Sequence, residues 1–110
     1  MISRVWHGYA RRDTADAYEA LLREEVITGI EARSIDGFRE IQVFRRDLGD
    51  EVEFITVMWF DSLDAVRAFA GEDHEASVVP PAARELLARF DERSQHYEVR
   101  ERRIPGQRVG

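Results

Sequence analysis

The stretch Phe54-Ile-Thr-Val-Met-Trp-Phe60 is apolar at both parities. A strand with one wet face alternates apolar and polar residues, whereas here Phe54, Met58 and Phe60 point one way and Ile55, Val57 and Trp59 the other. Such a strand must be covered on both faces. Helices of the same chain can cover one face, but a chain of 110 residues has little left for the other, so a second copy is the expected cover.

Outward from this strand the elements follow in a clear order. Glu51 to Phe60 runs antiparallel to a strand from Phe38 to Arg46, with Leu48-Gly-Asp50 as the turn between them. An earlier strand spans Ile2 to Arg11 and carries Val5, Trp6 and Tyr9. Asp13 or Thr14 caps the helix that follows, whose stripe is Tyr18, Leu21, Leu22 and Val26. Thr28 to Gly37 reads as a connector, broken at Gly29 and at Asp36-Gly37. Asp61 and Ser62 stop the central strand and start a helix lined by Leu63, Val66, Phe69 and Ala70, which Gly71 ends. Pro80-Pro81 opens a further helix, and its stripe is read as Ala83, Leu86, Leu87 and Phe90. The last strand is placed at Gln95 to Arg103, and 104–110 as a frayed tail behind a single domain of residues 1–103.

The fold class is therefore α+β, with the ferredoxin-like βαββαβ order and the helices on one face of an antiparallel sheet. The other face carries Ile55, Val57 and Trp59. Two such faces meeting across a twofold axis predict a homodimer that closes a dimeric α/β barrel.

Composition narrows the functions. A net charge of −6 argues against nucleic acid and anionic membranes as partners. The only basic concentration, Arg100, Arg102, Arg103 and Arg108, reads as a solvated tail. No run is long enough to span a membrane and no apolar segment follows Met1, which predicts a cytoplasmic protein. The chain has no Cys, so thiolate nucleophiles and cysteine metal sites are excluded. All sixteen basic residues are Arg, so no lysine Schiff base and no Walker loop can form. There is also no Asn.

The segment TVMWFDSLDAVRAFAGEDHEASVVPPAARELLARFDERSQHYEV resembles the antibiotic biosynthesis monooxygenase (ABM) family of dimeric ferredoxin-like proteins. Its most specific part is the strand-to-helix junction formed by Phe60, Ser62, Ala65 and Phe69. The resemblance implies a cofactor-independent monooxygenase acting on a small aromatic or quinol-like compound. The alternative is a non-catalytic binding or accessory protein that uses the same pocket. Members that oxidise anthrone-type compounds place Asn and Trp on the third strand and Tyr on the next helix, where this chain has Thr56, Phe60 and Val66. Members that degrade haem place an Asn, a Trp and a His where this chain has His7, Phe69 and Val79, with His74 several residues early. Without Asn the chain departs from both schemes.

Cofactor-free oxygenation needs a dry pocket, a base near neutral pKa and donors for the substrate anion. By the resemblance the pocket lies between helices and sheet. On the central strand the parity facing it is Phe54, Thr56, Met58 and Phe60. On the first strand it is read as Val5, His7 and Tyr9. His7 and Tyr9 are thus the expected catalytic pair, with Val5, Thr56, Met58, Phe60, Phe69 and His74 lining the pocket. No cofactor is expected. The three histidines, His7, His74 and His96, lie on distant segments, so no metal is expected either. Ser62 is read as a helix cap with no His–Asp partners, not as a nucleophile.

Overall fold

The computed structural model describes residues 1–106. Residues 107–110 of the expected tail, Arg108 among them, lie outside that description. The chain runs through β1 (Ile2–Arg11), α1 (Ala15–Leu21), a π-helical turn (Leu22–Val26), α2 (Ile27–Ala32), β2 (Phe38–Asp47), β3 (Glu51–Phe60), α3 (Leu63–Ala70), α4 (Pro81–Leu86), β4 (Leu87–Phe90) and β5 (Gln95–Glu98). The sheet is antiparallel with the order β2-β3-β1-β4, and β5 continues the edge beyond β4 by pairing with the start of β1. This is the α+β ferredoxin-like arrangement. None of the helices among the described residues is long and apolar enough to cross a membrane.

Both faces of β3 carry apolar side chains, as its sequence requires. Val52, Phe54, Met58 and Phe60 are buried under the helices. Ile55, Val57 and Trp59 lie on the opposite, outer face with Phe44 of β2, which pairs with Ile55 and is 48% exposed. Two apolar clusters hold the helices down. One joins Ala10, Ala15, Tyr18, Leu22, Val52, Phe54 and Ala83; the other joins Met58, Phe60, Ala65, Val66 and Phe69. Gly37 turns the chain into β2 with φ +86, and a Cβ there would stand 2.8 Å from the Cβ of Ala65. At α3, Ser62 Oγ accepts from the Ala65 N–H at 3.2 Å, so its role as a cap holds. The far end of α3 is capped by Arg33, which donates to the carbonyls of Ala68 and Phe69.

Three boundaries differ from the sequence reading. The first helix does not stop before Thr28 but continues through Gly29 to Ala32. Gly29 is exposed and costs about 1 kcal/mol relative to alanine, and seating Ile27 and Ile30 against the sheet offsets it. The stripe from Ala83 to Phe90 is not one helix, since Leu87 turns extended and Leu87–Phe90 pairs with Gly8–Ala10. That half of β1 needs a ladder partner because β5 reaches only Ile2–Val5. The final strand ends at Glu98 rather than Arg103.

Candidate functional site

Between the helices and the sheet lies a half-open cavity of about 60 Å³. Its helix wall is Tyr18, Leu22, Val26, Ile27 and Ile30; its sheet wall is Arg4, Trp6, Ile41, Thr56 and Met58. Phe69, Val79, Ala83 and Ser94 close its ends. Thr56, Met58 and Phe69, three of the residues expected to line a pocket, are among its walls.

The first strand is out of phase with the expectation. Its helix-facing side chains are Arg4, Trp6, Gly8 and Ala10, because Arg4 pairs with Met58 and Trp6 with Thr56. Val5, His7 and Tyr9 therefore point to the outer face, beside Val57, Ile55 and Glu53. Period-two alternation turns a one-residue error into a change of face for the whole set. Phe60 is fully buried in the second cluster, behind the cavity, and His74 does not line it.

On the outer face His7 Nδ1 meets Asp91 Oδ2 at 2.9 Å, and the same oxygen accepts from the His7 backbone N–H. This fixes the ring and leaves Nε2 without a partner among the described residues. Tyr9 donates to Glu53 at 3.2 Å and lies under the Arg89 guanidinium. Desolvation, followed by the Glu53 carboxylate, holds the Tyr9 phenol above its usual range.

Inside, the polar groups gather at one end. Arg4 is 3% exposed and sits over the Phe69 ring at 5.4 Å. Its Nη1 donates to the His74 carbonyl and stands 3.0 Å from His96 Nε2, while Nη2 donates to the Ala76 carbonyl at 2.9 Å. Arg4 forms no ion pair with a described residue. Desolvation without such a partner lowers its pKa to about 10, so it stays charged near neutral pH. Ser94 Oγ is buried with no hydrogen-bond partner among the described residues. Trp6 is pinned by its indole N–H to the Asp91 carbonyl at 2.9 Å. Gly8 makes room for it, since a Cβ there would fall 2.5 Å from the indole ring. Burial pushes the Tyr18 phenol up, so it remains a donor.

His74 and His96, far apart in sequence, meet with ring centroids 5.1 Å apart. With Glu75 they form a group whose donor atoms lie within 4.8 Å of one another. A metal would fit poorly there. The Arg4 cation occupies the Nε2 side of His96, and Arg93 already engages Glu75 at 3.2 Å. Desolvation first, then Arg4, lowers the His96 pKa to about 4. The native state therefore binds fewer protons than the unfolded chain between pH 6.5 and 4, and stability falls as pH drops through that window. The full shift would be worth about 3 kcal/mol, and because solvent still reaches the ring we expect a loss of about 2 kcal/mol there. His96→Gln should flatten this part of a stability–pH curve measured by urea unfolding, and an unchanged slope would refute the assignment.

Arg4, Trp6, Tyr18 and Ser94 were missed from sequence. Trp6 beside the small residues Gly8 and Ala10 was the one available hint of the correct parity. No signal marked Ser94.

No protein-family model matches the chain, and no curated protein matches it in sequence. Solved structures do match. An antibiotic biosynthesis monooxygenase-type protein from Bacillus cereus superposes with a TM-score of 0.69 at 17% identity, covering 97% of this chain and 98% of its own. A monooxygenase from the ActVA-Orf6 gene of Streptomyces coelicolor, solved with nanaomycin D, gives 0.59 at 16% identity over 94% and 91%. A NIPSNAP family protein from Agrobacterium tumefaciens gives 0.60 at 22% identity over 88% and 90%. At such identities the likeness is one of fold. The chain has the ferredoxin-like architecture of ABM-type proteins.

Proposed function

We propose, from the fold shared with ABM-type proteins, that the chain is a cofactor-independent monooxygenase for a small aromatic or quinol-like compound. The observation that carries this reading is the cavity between helices and sheet, apolar on most of its wall and polar at one end. A quinol or electron-rich phenol that has lost a proton can pass an electron to dioxygen itself. The protein then has to exclude water and stabilise the anion.

Tyr18 and Thr56, from opposite walls, supply O–H donors to the substrate oxygen. The semiquinone and superoxide formed by that electron transfer join in a carbon–oxygen bond. Loss of water from the resulting hydroperoxide leaves a carbonyl. For hydroquinone, one dioxygen converts the quinol to hydroxybenzoquinone and one water, with one oxygen atom entering the ring. None of the described residues that line the cavity carries an imidazole or carboxylate, so the proton goes to solvent through the open side in this scheme. His7, the base expected from sequence, is on the other face.

The purified protein should incorporate one atom of labelled dioxygen into hydroquinone. Tyr18→Phe should lower kcat by about 100- to 1,000-fold with little change in KM, the range for removing one anion donor. No label above the autoxidation background would overturn the enzymatic reading. The absence of any base among the described residues of the cavity wall favours the second reading, a binding protein, and calorimetric binding without oxygen uptake would establish that one.

Association belongs to the same proposal. Two copies meet through the outer faces carrying Ile55, Val57 and Trp59 and close the dimeric barrel. A face of three ten-residue strands, with the four-residue β4 and β5 along its edge, offers about 600 Å², close to the roughly 800 Å² per partner of a stable interface.

A further inference from the structure

We infer that the Arg4–Ser94 end of the cavity binds a carboxylate, so that the molecule taken up is a small aromatic monocarboxylic acid. The inference rests on the cavity being a small-molecule site and goes on to name the chemical class. Arg4 is nearly inaccessible, yet each acceptor it has found is neutral: the carbonyls of His74 and Ala76, and an imidazole nitrogen of His96. Buried cations are normally paired with an anion. Glu75, the acid that shares this corner, is engaged by Arg93.

The donor count points the same way. Of the five guanidinium N–H groups, three are used, which leaves the Nε–H and one Nη2–H without a partner among the described residues. Two donors on one planar group match the fork of a carboxylate, whereas a neutral hydroxyl would satisfy only one. Ser94 Oγ adds a third donor. It is buried, has no partner among the described residues and lines the same cavity. A single cation suits a monoanion. The remaining wall, with Leu22, Ile27, Ile30 and Met58, calls for an apolar body. The space holds roughly five waters, about 150 Å³ of liquid, which is the bulk of a single-ring acid.

Benzoate and benzyl alcohol, matched in shape and differing in charge, provide the test by calorimetry on the intact chain at pH 7. Benzoate is expected to bind at least 100-fold tighter. Arg4→Lys keeps the charge but loses the fork and should weaken benzoate about tenfold without affecting benzyl alcohol. Ser94→Ala should weaken benzoate while leaving the thermal midpoint unchanged or higher, because it removes an unsatisfied buried hydroxyl. That combination separates a ligand role from a structural one. Equal affinities for the two probes would overturn the carboxylate assignment and leave the cavity reading intact. Binding of neither would overturn both. Oxygen uptake does not enter the outcome.

Discussion

Replacing Phe60 with alanine is expected to cost about 4 kcal/mol of folding stability, within the range measured for buried phenylalanines. Phe60 is inaccessible, at the end of β3 under α3, with the rings of Phe38 and Phe69 at 5.4 and 5.9 Å. Its removal strips contacts from β2 and α3 at once. Neither neighbour can collapse into the gap, because Phe38 is fixed in the ladder and α3 is held by its Ser62 cap and by Arg33. The denaturation midpoint should fall with an unchanged m-value. A loss under about 1.5 kcal/mol would mean that the second cluster is not a packed core. The sequence reading made Phe60 a pocket residue because it shares parity with Thr56 and Met58. Its position beyond the cavity makes its effect one of stability.

Ile55→Arg is expected to separate the proposed dimer into single chains. Ile55 lies mid-face, paired with His7 on β1 and Phe44 on β2. In a lone subunit the long arginine can reach water past the half-open face, so the far-ultraviolet spectrum should not change. Between two apposed sheets each copy would bury an unpaired cation. A penalty of about 4 kcal/mol raises the dissociation constant roughly a thousandfold. Light scattering at micromolar concentration reads this as a fall from two chains to one. A wild-type chain already single under those conditions would end the proposal, as would a variant that stays paired.

The fold was legible because its decisive signals are local. The doubly apolar run of β3, the Ser62 cap and the glycine turns follow from residue types within a few positions. The errors came where tertiary geometry overrode local pattern. Ala83, Leu86, Leu87 and Phe90 have helical spacing, yet the open ladder of Gly8–Ala10 draws Leu87–Phe90 into the sheet. In β1 both parities mix polar and aromatic residues, so the pairing of Trp6 with Thr56 decides the phase, and that register is set from the other side of the chain.

The site suffered most from this. His7 and Tyr9 looked catalytic by residue type, while the buried cation Arg4 resembled any strand arginine. Its significance rests on partners from residues 74, 76 and 96, which no local window shows.

The π-helical turn Leu22–Val26 has a consequence for how this wall can vary. An α-helix comes round in 3.6 residues and a π turn takes nearly one residue more, so deleting one residue from that turn would restore a regular α-helix and leave Ile27 and Ile30 on the sheet. The same deletion one turn later would swing Ile30 away by about 100° and bring Glu31 in. The turn is thus a place where the chamber wall absorbs a change of chain length without rotating.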